Sequence, residues 1–269
     1  MNPVARLCFS AAAALAVASF GFARAANAQT INIPNAGFLS WNSCYGAPGA
    51  SNALQYACDG SLDGNPRVLA ASFQVPKTTP PGAPPKTFQA YTGEVFIKIR
   101  PSTSGLLPDY WRISGYLIVP GTGDPCRVGA VTFAGTGPGI TDPVHCADWY
   151  SSDPSFSGLV LSWPPAADYL WVDSGFSIGS NRTLAEGTKY SAGAVLFDPV
   201  PDGCAGCEQE MCIELVSIQL VGEHGFPILN LTGSNSTSVV TWQGSIPGIC
   251  FGATPAHNRT WGAVKSMYR

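Results

Sequence analysis

The placement of cysteines constrains this chain more than any other feature. Nine cysteines occur in 269 residues, and the first, Cys8, falls in a leader, MNPVARLCFSAAAALAVASFGFARAANAQ. There Arg6 precedes an apolar run from Leu7 to Ala23, and Ala26-Asn27-Ala28 offers small residues where a signal peptidase reads. That order predicts a secretory signal peptide over 1–28, cut after Ala28, and a protein secreted to the periplasm, the cell surface or the medium. The Ala-rich leader reads as bacterial. No later stretch is apolar for long enough to span a bilayer. Eight cysteines remain: Cys44, Cys58, Cys126, Cys146, Cys204, Cys207, Cys212 and Cys250. An even set in an exported chain reads as four disulfides, because exported thiols meet an oxidising environment.

Spacing alone cannot choose among about a hundred pairings. Local closure favours Cys44–Cys58 and Cys126–Cys146, leaving the segment GCAGCEQEMC (203–212) to pair with Cys250. A Cys204–Cys207 bond closes so short a loop that the chain-entropy model gives it only ~2 kcal/mol, so it would mainly fix a turn. A Cys212–Cys250 bond would tie the apolar run at 212–221 to the end of VVTWQGSIPGIC. Two chemical readings compete with the staple. As zinc ligands, C-x2-C-x4-C supplies three sulfurs, with His224 or Cys250 as a fourth ligand. Export and the even count oppose that reading. As a redox couple, Cys204-Ala-Gly-Cys207 needs a setting that lowers a thiol pKa, whereas Asp202, Glu208 and Glu210 raise it. The staple is the preferred reading, with no metal.

Charge excludes some partners. Removing the leader takes away two arginines and leaves 12 basic against 17 acidic residues, a net charge of −5. Without a basic stripe, neither nucleic acid nor an anionic membrane is an expected partner. Thirty glycines and 23 prolines punctuate short β-branched and aromatic runs. In GEVFIKIR (93–100), Val95, Ile97 and Ile99 share one face while Glu94, Lys98 and Arg100 share the other, with Phe96 the apolar residue on the wet side. Similar runs occur at 68–75, 110–119, 128–134, 157–163, 168–173, 190–198 and 237–243. The run CIELVSIQLV (212–221) changes phase midway, which a β-bulge near Leu215 or burial of both faces would reconcile. KTTPPGAPPK (77–86) reads as an extended loop between strands rather than a domain linker. The expectation is one all-β domain over 29–269: a disulfide-stapled β-sandwich of about ten short strands, with a barrel as second choice.

Few motifs carry chemistry. Gly175-Phe176-Ser177-Ile178-Gly179 matches G-x-S-x-G, and acids followed by His224 or His257 complete the chain order of a serine hydrolase. The nucleophile elbow also needs a following helix, and SNRTLAEGTKY has little helical pattern. Asp59, Ser61, Asp63 and Asn65 alternate as in the first half of a calcium loop, with Gly64 for the turn, but Ala70 stands where a bidentate Glu belongs. Calcium is therefore a minor expectation, and an acidic turn next to Cys58 the preferred one. His145, beside Cys146 and Asp148, is too little for a metal site. Asp142, Asp148 and Asp153 read as solvated loop acids rather than a glycosidase pair. Of seven tryptophans, most are expected in the core with their ring N–H bonded, though some could form a platform for a sugar or polymer.

The ending ATPAHNRTWGAVKSMYR (253–269) is the most specific sequence in the chain. With Val240-Thr241-Trp242-Gln243-Gly244, Leu107 to Trp111 (LPDYW), Trp41 to Cys44 and GCAGCEQEMC, it resembles a group of secreted bacterial proteins. These share a GCxGCxxxxC knot and an ATPxxNRTWGxxKSxYR tail. The resemblance implies no activity; neither Ser177 nor Asp63 is among the shared positions. Two functions follow for testing. One is an exported, non-catalytic protein with a binding or surface-structural role toward an extracellular ligand or surface partner. The alternative is a secreted serine hydrolase using Ser177.

Overall fold

The computed structural model describes residues 31–58, 65–77, 80, 83, 87–114, 125–135, 144–148, 154–163, 168–198, 203–222, 227–233, 237–244 and 250. Within them the protein is all-β, with one turn of 3-10 helix at Asp109–Trp111. In chain order the strands are β1 (Ile31–Trp41), β2 (Ala53–Leu54), β3 (Arg67–Gln74), β4 (Thr87–Pro101), β5 (Ile113–Ser114), β6 (Arg127–Val128) and β7 (Val131–Ala134). They continue with β8 (Pro154–Ser162), β9 (Leu170–Ala185), β10 (Lys189–Phe197), β11 (Met211–Val221), β12 (Pro227–Gly233) and β13 (Val239–Trp242). The expected leader at 1–28, residues 59–64 and the tail after Cys250 lie outside the described residues.

The expected sandwich gives way to the second expectation. Eleven strands join one sheet in the order β7-β10-β3-β1-β12-β11-β4-β9-β8, with β13 on β11 and β2 on β13, while β5 and β6 form a small parallel pair. The sheet's two ends, β7 and β8, come together, so it nearly closes into a barrel. Closure needs strong coiling, and the sheet has the irregularities that bend strands. Register shifts fall between Ile33 and Gly37 in β1, Ala90 and Thr92 in β4, Ser191 and Gly193 in β10, and Leu215 and Ser217 in β11. The last resolves the phase change in CIELVSIQLV. Ile213 and Leu215 are buried, Val216 is pushed out to solvent, and Ile218 and Leu220 return to the core. KTTPPGAPPK connects β3 to β4, which lie in this same sheet.

In β4, Val95, Ile97 and Ile99 are buried and the alternate residues face out. The centre of the core is aromatic. Trp111 lies 5.3 Å from Trp242, which also packs on Trp41 at 6.0 Å and Tyr56 at 4.7 Å. Trp41 donates its ring N–H to the Thr241 carbonyl, Trp242 to Cys207 and Trp163 to Ile113. Such polar handles let these three indoles enter the core with their donors met, whereas the ring N–H of Trp111 is buried without a partner among the described residues.

Four disulfides hold the fold: Cys44–Cys146, Cys58–Cys207, Cys126–Cys204 and Cys212–Cys250. Only Cys212–Cys250 agrees with the expected pairing. Cys44–Cys58, Cys126–Cys146 and Cys204–Cys207 are not formed. Nearness in sequence lost to nearness in the sheet, because Cys204 and Cys207 sit on a turn that faces two distant loops. Gly206 holds that turn at φ 97° against Pro108, and Ala205 accepts a backbone hydrogen bond from Tyr110.

Candidate functional site

The described residues that combine chemistry with access lie on the outer face of β4 and β9, the two longest strands at 15 and 16 residues. In DYLWVDSGFS (168–177), Leu170 and Val172 turn inward and are buried, so Tyr169, Trp171, Asp173, Gly175 and Ser177 fall on the outside. Antiparallel pairing sets Lys98 opposite Trp171, Phe96 opposite Asp173 and Glu94 opposite Gly175. β8 adds Val160, 53 % exposed, opposite Asp173 on the other side.

Side chains along this face form two groups. At one end, the Tyr169 ring meets Trp171 edge-on at 5.9 Å, and Lys98 Nζ lies 4.8 Å from the Tyr169 ring. Both aromatic residues are half-buried. At the other end, Glu94 leans over Gly175, where a Cβ would meet Glu94 Cγ at 3.9 Å. That places its carboxylate near Asp173. Partial burial raises the Asp173 carboxyl from 3.8 to about 6, and the Glu94 charge adds to the rise. Along β4, Arg100 pairs with Glu214 of β11 at 2.7 Å and donates to the Cys250 carbonyl, which ends the row in a fixed ion pair.

Only part of this was legible in the residues. Of the tryptophans, Trp41, Trp111, Trp163 and Trp242 are core, Trp149 and Trp261 lie outside the described residues, and Trp171 is the one on the outer face. Asp173 was missed, although alternation in YLWVD marks it as outward. Ser177 is on the same face, but its G-x-S-x-G lies inside β9, paired with Thr92 on one side and Phe156 on the other. A nucleophile elbow is a strand-to-helix turn, and that geometry is absent at Ser177. His224 and His257 lie outside the described residues, as do Asp59, Ser61 and Asp63; only Asn65 of the calcium candidates is described. His145 is half-buried next to Cys146, and Asp148 is exposed. Cys204, Cys207 and Cys212 are each bonded to a distant sulfur, which removes them as zinc ligands or as a C-x-x-C couple.

Among the described residues no helix is long and apolar enough to cross a membrane. Four disulfides fit an oxidising compartment. Comparison with family models, curated proteins and solved structures finds no match to this chain.

Proposed function

We propose that this is an exported bacterial protein, freed of its leader after Ala28, that binds an extracellular polymer without chemically altering it. The ligand lies across the outer face of β4 and β9, and its class is a polysaccharide. One observation supports this reading above others: Tyr169 and Trp171 present aromatic surface on the same open face as the Glu94 and Asp173 carboxylates. Sugars offer apolar C–H faces to aromatic rings and hydroxyls to carboxylates, so adjoining surfaces of these two kinds suit them. Asp173, poised near pH 6, can donate as well as accept a hydrogen bond there. The row runs along the length of two long strands, which suits an extended polymer better than a small molecule.

A polysaccharide array with the wild type and Trp171→Ala tests this. Retention on at least one glycan, lost in the variant at unchanged melting temperature, is the expected result. No retention on any glycan, or equal retention by the variant, overturns the platform. A fluorophosphonate probe on the same preparation checks the hydrolase alternative: labelling at Ser177 would replace binding with catalysis.

A further inference from the structure

The disulfide connectivity carries an inference independent of the ligand. A chain oxidised as it emerges from export tends to pair each cysteine with its neighbour in sequence, since short loops close fastest. Here that gives Cys44–Cys58, Cys126–Cys146, Cys204–Cys207 and Cys212–Cys250. The native set shares only the last of these, and its other three bonds have sequence separations of 102, 149 and 78. The three neighbour bonds and the three native bonds use the same six sulfurs. Each set converts to the other by exchange alone.

We propose that this protein matures as a substrate of a thiol–disulfide isomerase, and that Cys204 is the sulfur the isomerase attacks. A catalytic thiolate of the isomerase attacks Cys204 Sγ of the Cys204–Cys207 bond. A mixed disulfide forms and Cys207 leaves as a thiolate. Cys207 attacks Cys58, making Cys58–Cys207 and releasing Cys44. Cys44 attacks Cys146, making Cys44–Cys146 and releasing Cys126. Cys126 then attacks Cys204 in the mixed disulfide, makes Cys126–Cys204 and returns the isomerase thiolate. Three disulfides enter and three leave, so no oxidant or reductant is consumed. One catalytic cycle at Cys204 therefore turns the complete neighbour-paired state into the native one.

Exposure in the folded protein agrees with this order. The bond that closes the relay is the most accessible of the four: Cys126 is exposed and Cys204 half-buried, whereas Cys58–Cys207 has only the half-buried Cys58 in reach of solvent. Cys44 and Cys146 are 0 % exposed, Cys207 is 7 %, and Cys212 and Cys250 are 0 % and 2 %. An isomerase bound to Cys204 can thus remain attached while the rest of the fold packs, and leave last. Once native, renewed attack on Cys204 frees only Cys126, and the Cys44–Cys146 bond it would have to open is fully buried.

The test is oxidative refolding of the reduced exported protein, followed by non-reducing peptide mapping. With an oxidase that only inserts disulfides, the expected map has lost Cys44–Cys146, Cys58–Cys207 and Cys126–Cys204 and shows the three neighbour bonds instead. Adding a reduced C-x-x-C isomerase should restore the native map with no change in total thiol count. A trapping form of the isomerase, its second active-site Cys replaced by Ala, should be captured on Cys204. A native map from the oxidase alone at the same rate overturns the dependence on an isomerase. Capture on any other cysteine overturns Cys204 as the point of attack.

Discussion

The Asp173 carboxyl gives the outer face a pH signature whose sign is unusual for an acid. In the unfolded chain it loses its proton near 3.8, while in the fold it holds the proton until about 6. Between those values the folded state binds more protons, so stability falls as pH rises through the window and the loss is complete above about pH 7. At full weight the shift is worth about 3 kcal/mol. Because the carboxyl is partly open to water, screening reduces this to about 1–1.5 kcal/mol. For a domain of this size that is about 3–5 °C in melting temperature. The assay is a pair of thermal melts, wild type and Asp173→Asn, at half-unit steps from pH 4 to 8. Comparing the two cancels the titration of groups that do not interact with Asp173. The variant should match the wild type near pH 4 and exceed it by about 3–5 °C at pH 7.5, with the difference growing as pH rises from about 4 and levelling off above about 6. Glu94→Gln should shrink that difference and move it to lower pH, by removing the like charge. Parallel curves over the whole range, or a wild type that gains on the variant as pH rises, would refute the placement of these two carboxyls.

Further outcomes follow from the core and the staples. Replacing Cys58 and Cys207 with Ala opens a loop of separation 149, worth about 5 kcal/mol in the chain-entropy model, against about 4 kcal/mol for Cys212 and Cys250 with separation 38. Urea denaturation should therefore rank the first double variant below the second. Gly193→Ala puts a Cβ 2.4 Å from the Phe133 ring and 2.9 Å from the Ala134 carbonyl at φ 92°, so calorimetry should find a loss of about 2–3 kcal/mol. Trp242→Ala leaves a cavity among Trp41, Tyr56, Tyr110 and Trp111 and should lose about 3–5 kcal/mol, read by the same method.

What the sequence disclosed follows from which interactions are local. β4 was readable because its buried face alternates strictly, and β11 because a single bulge at Val216 explains its break in phase. β1 was not. INIPNAGFLSW contains Pro34 and a left-handed Asn35 at φ 58°, signals that normally end a strand. Here its first part pairs parallel with β12 and its second part pairs antiparallel with β3, so the break falls between two partners. The cysteine pairing was unreadable for a related reason. Cys58 and Cys207 meet only once β2 lies on β13 and β13 on β11, and no local pattern reports that chain of contacts. G-x-S-x-G failed in the opposite direction, because two glycines around a serine are compatible with a long bent strand as well as with an elbow.

The same contacts explain why the most distinctive motifs are a poor guide to the ligand. LPDYW supplies Trp111 to the aromatic core and Tyr110 to the cysteine turn; VTWQG supplies Trp242, whose ring N–H bonds Cys207. Gln243, at φ 56°, accepts a hydrogen bond from the Tyr56 N–H through its side chain. WNSC supplies Trp41 to that core and Cys44 to a fully buried bond. Each of these segments is committed to the packed aromatic core or to a disulfide, where a change in one residue disturbs its neighbours. β4 and β9 have only one face committed to the core. Side chains on the other face are at least partly open to solvent, which is the condition under which a binding surface can be shaped. Function is therefore to be sought where the sequence looks least remarkable, along YLWVD and GEVFIK, rather than in GCAGCEQEMC.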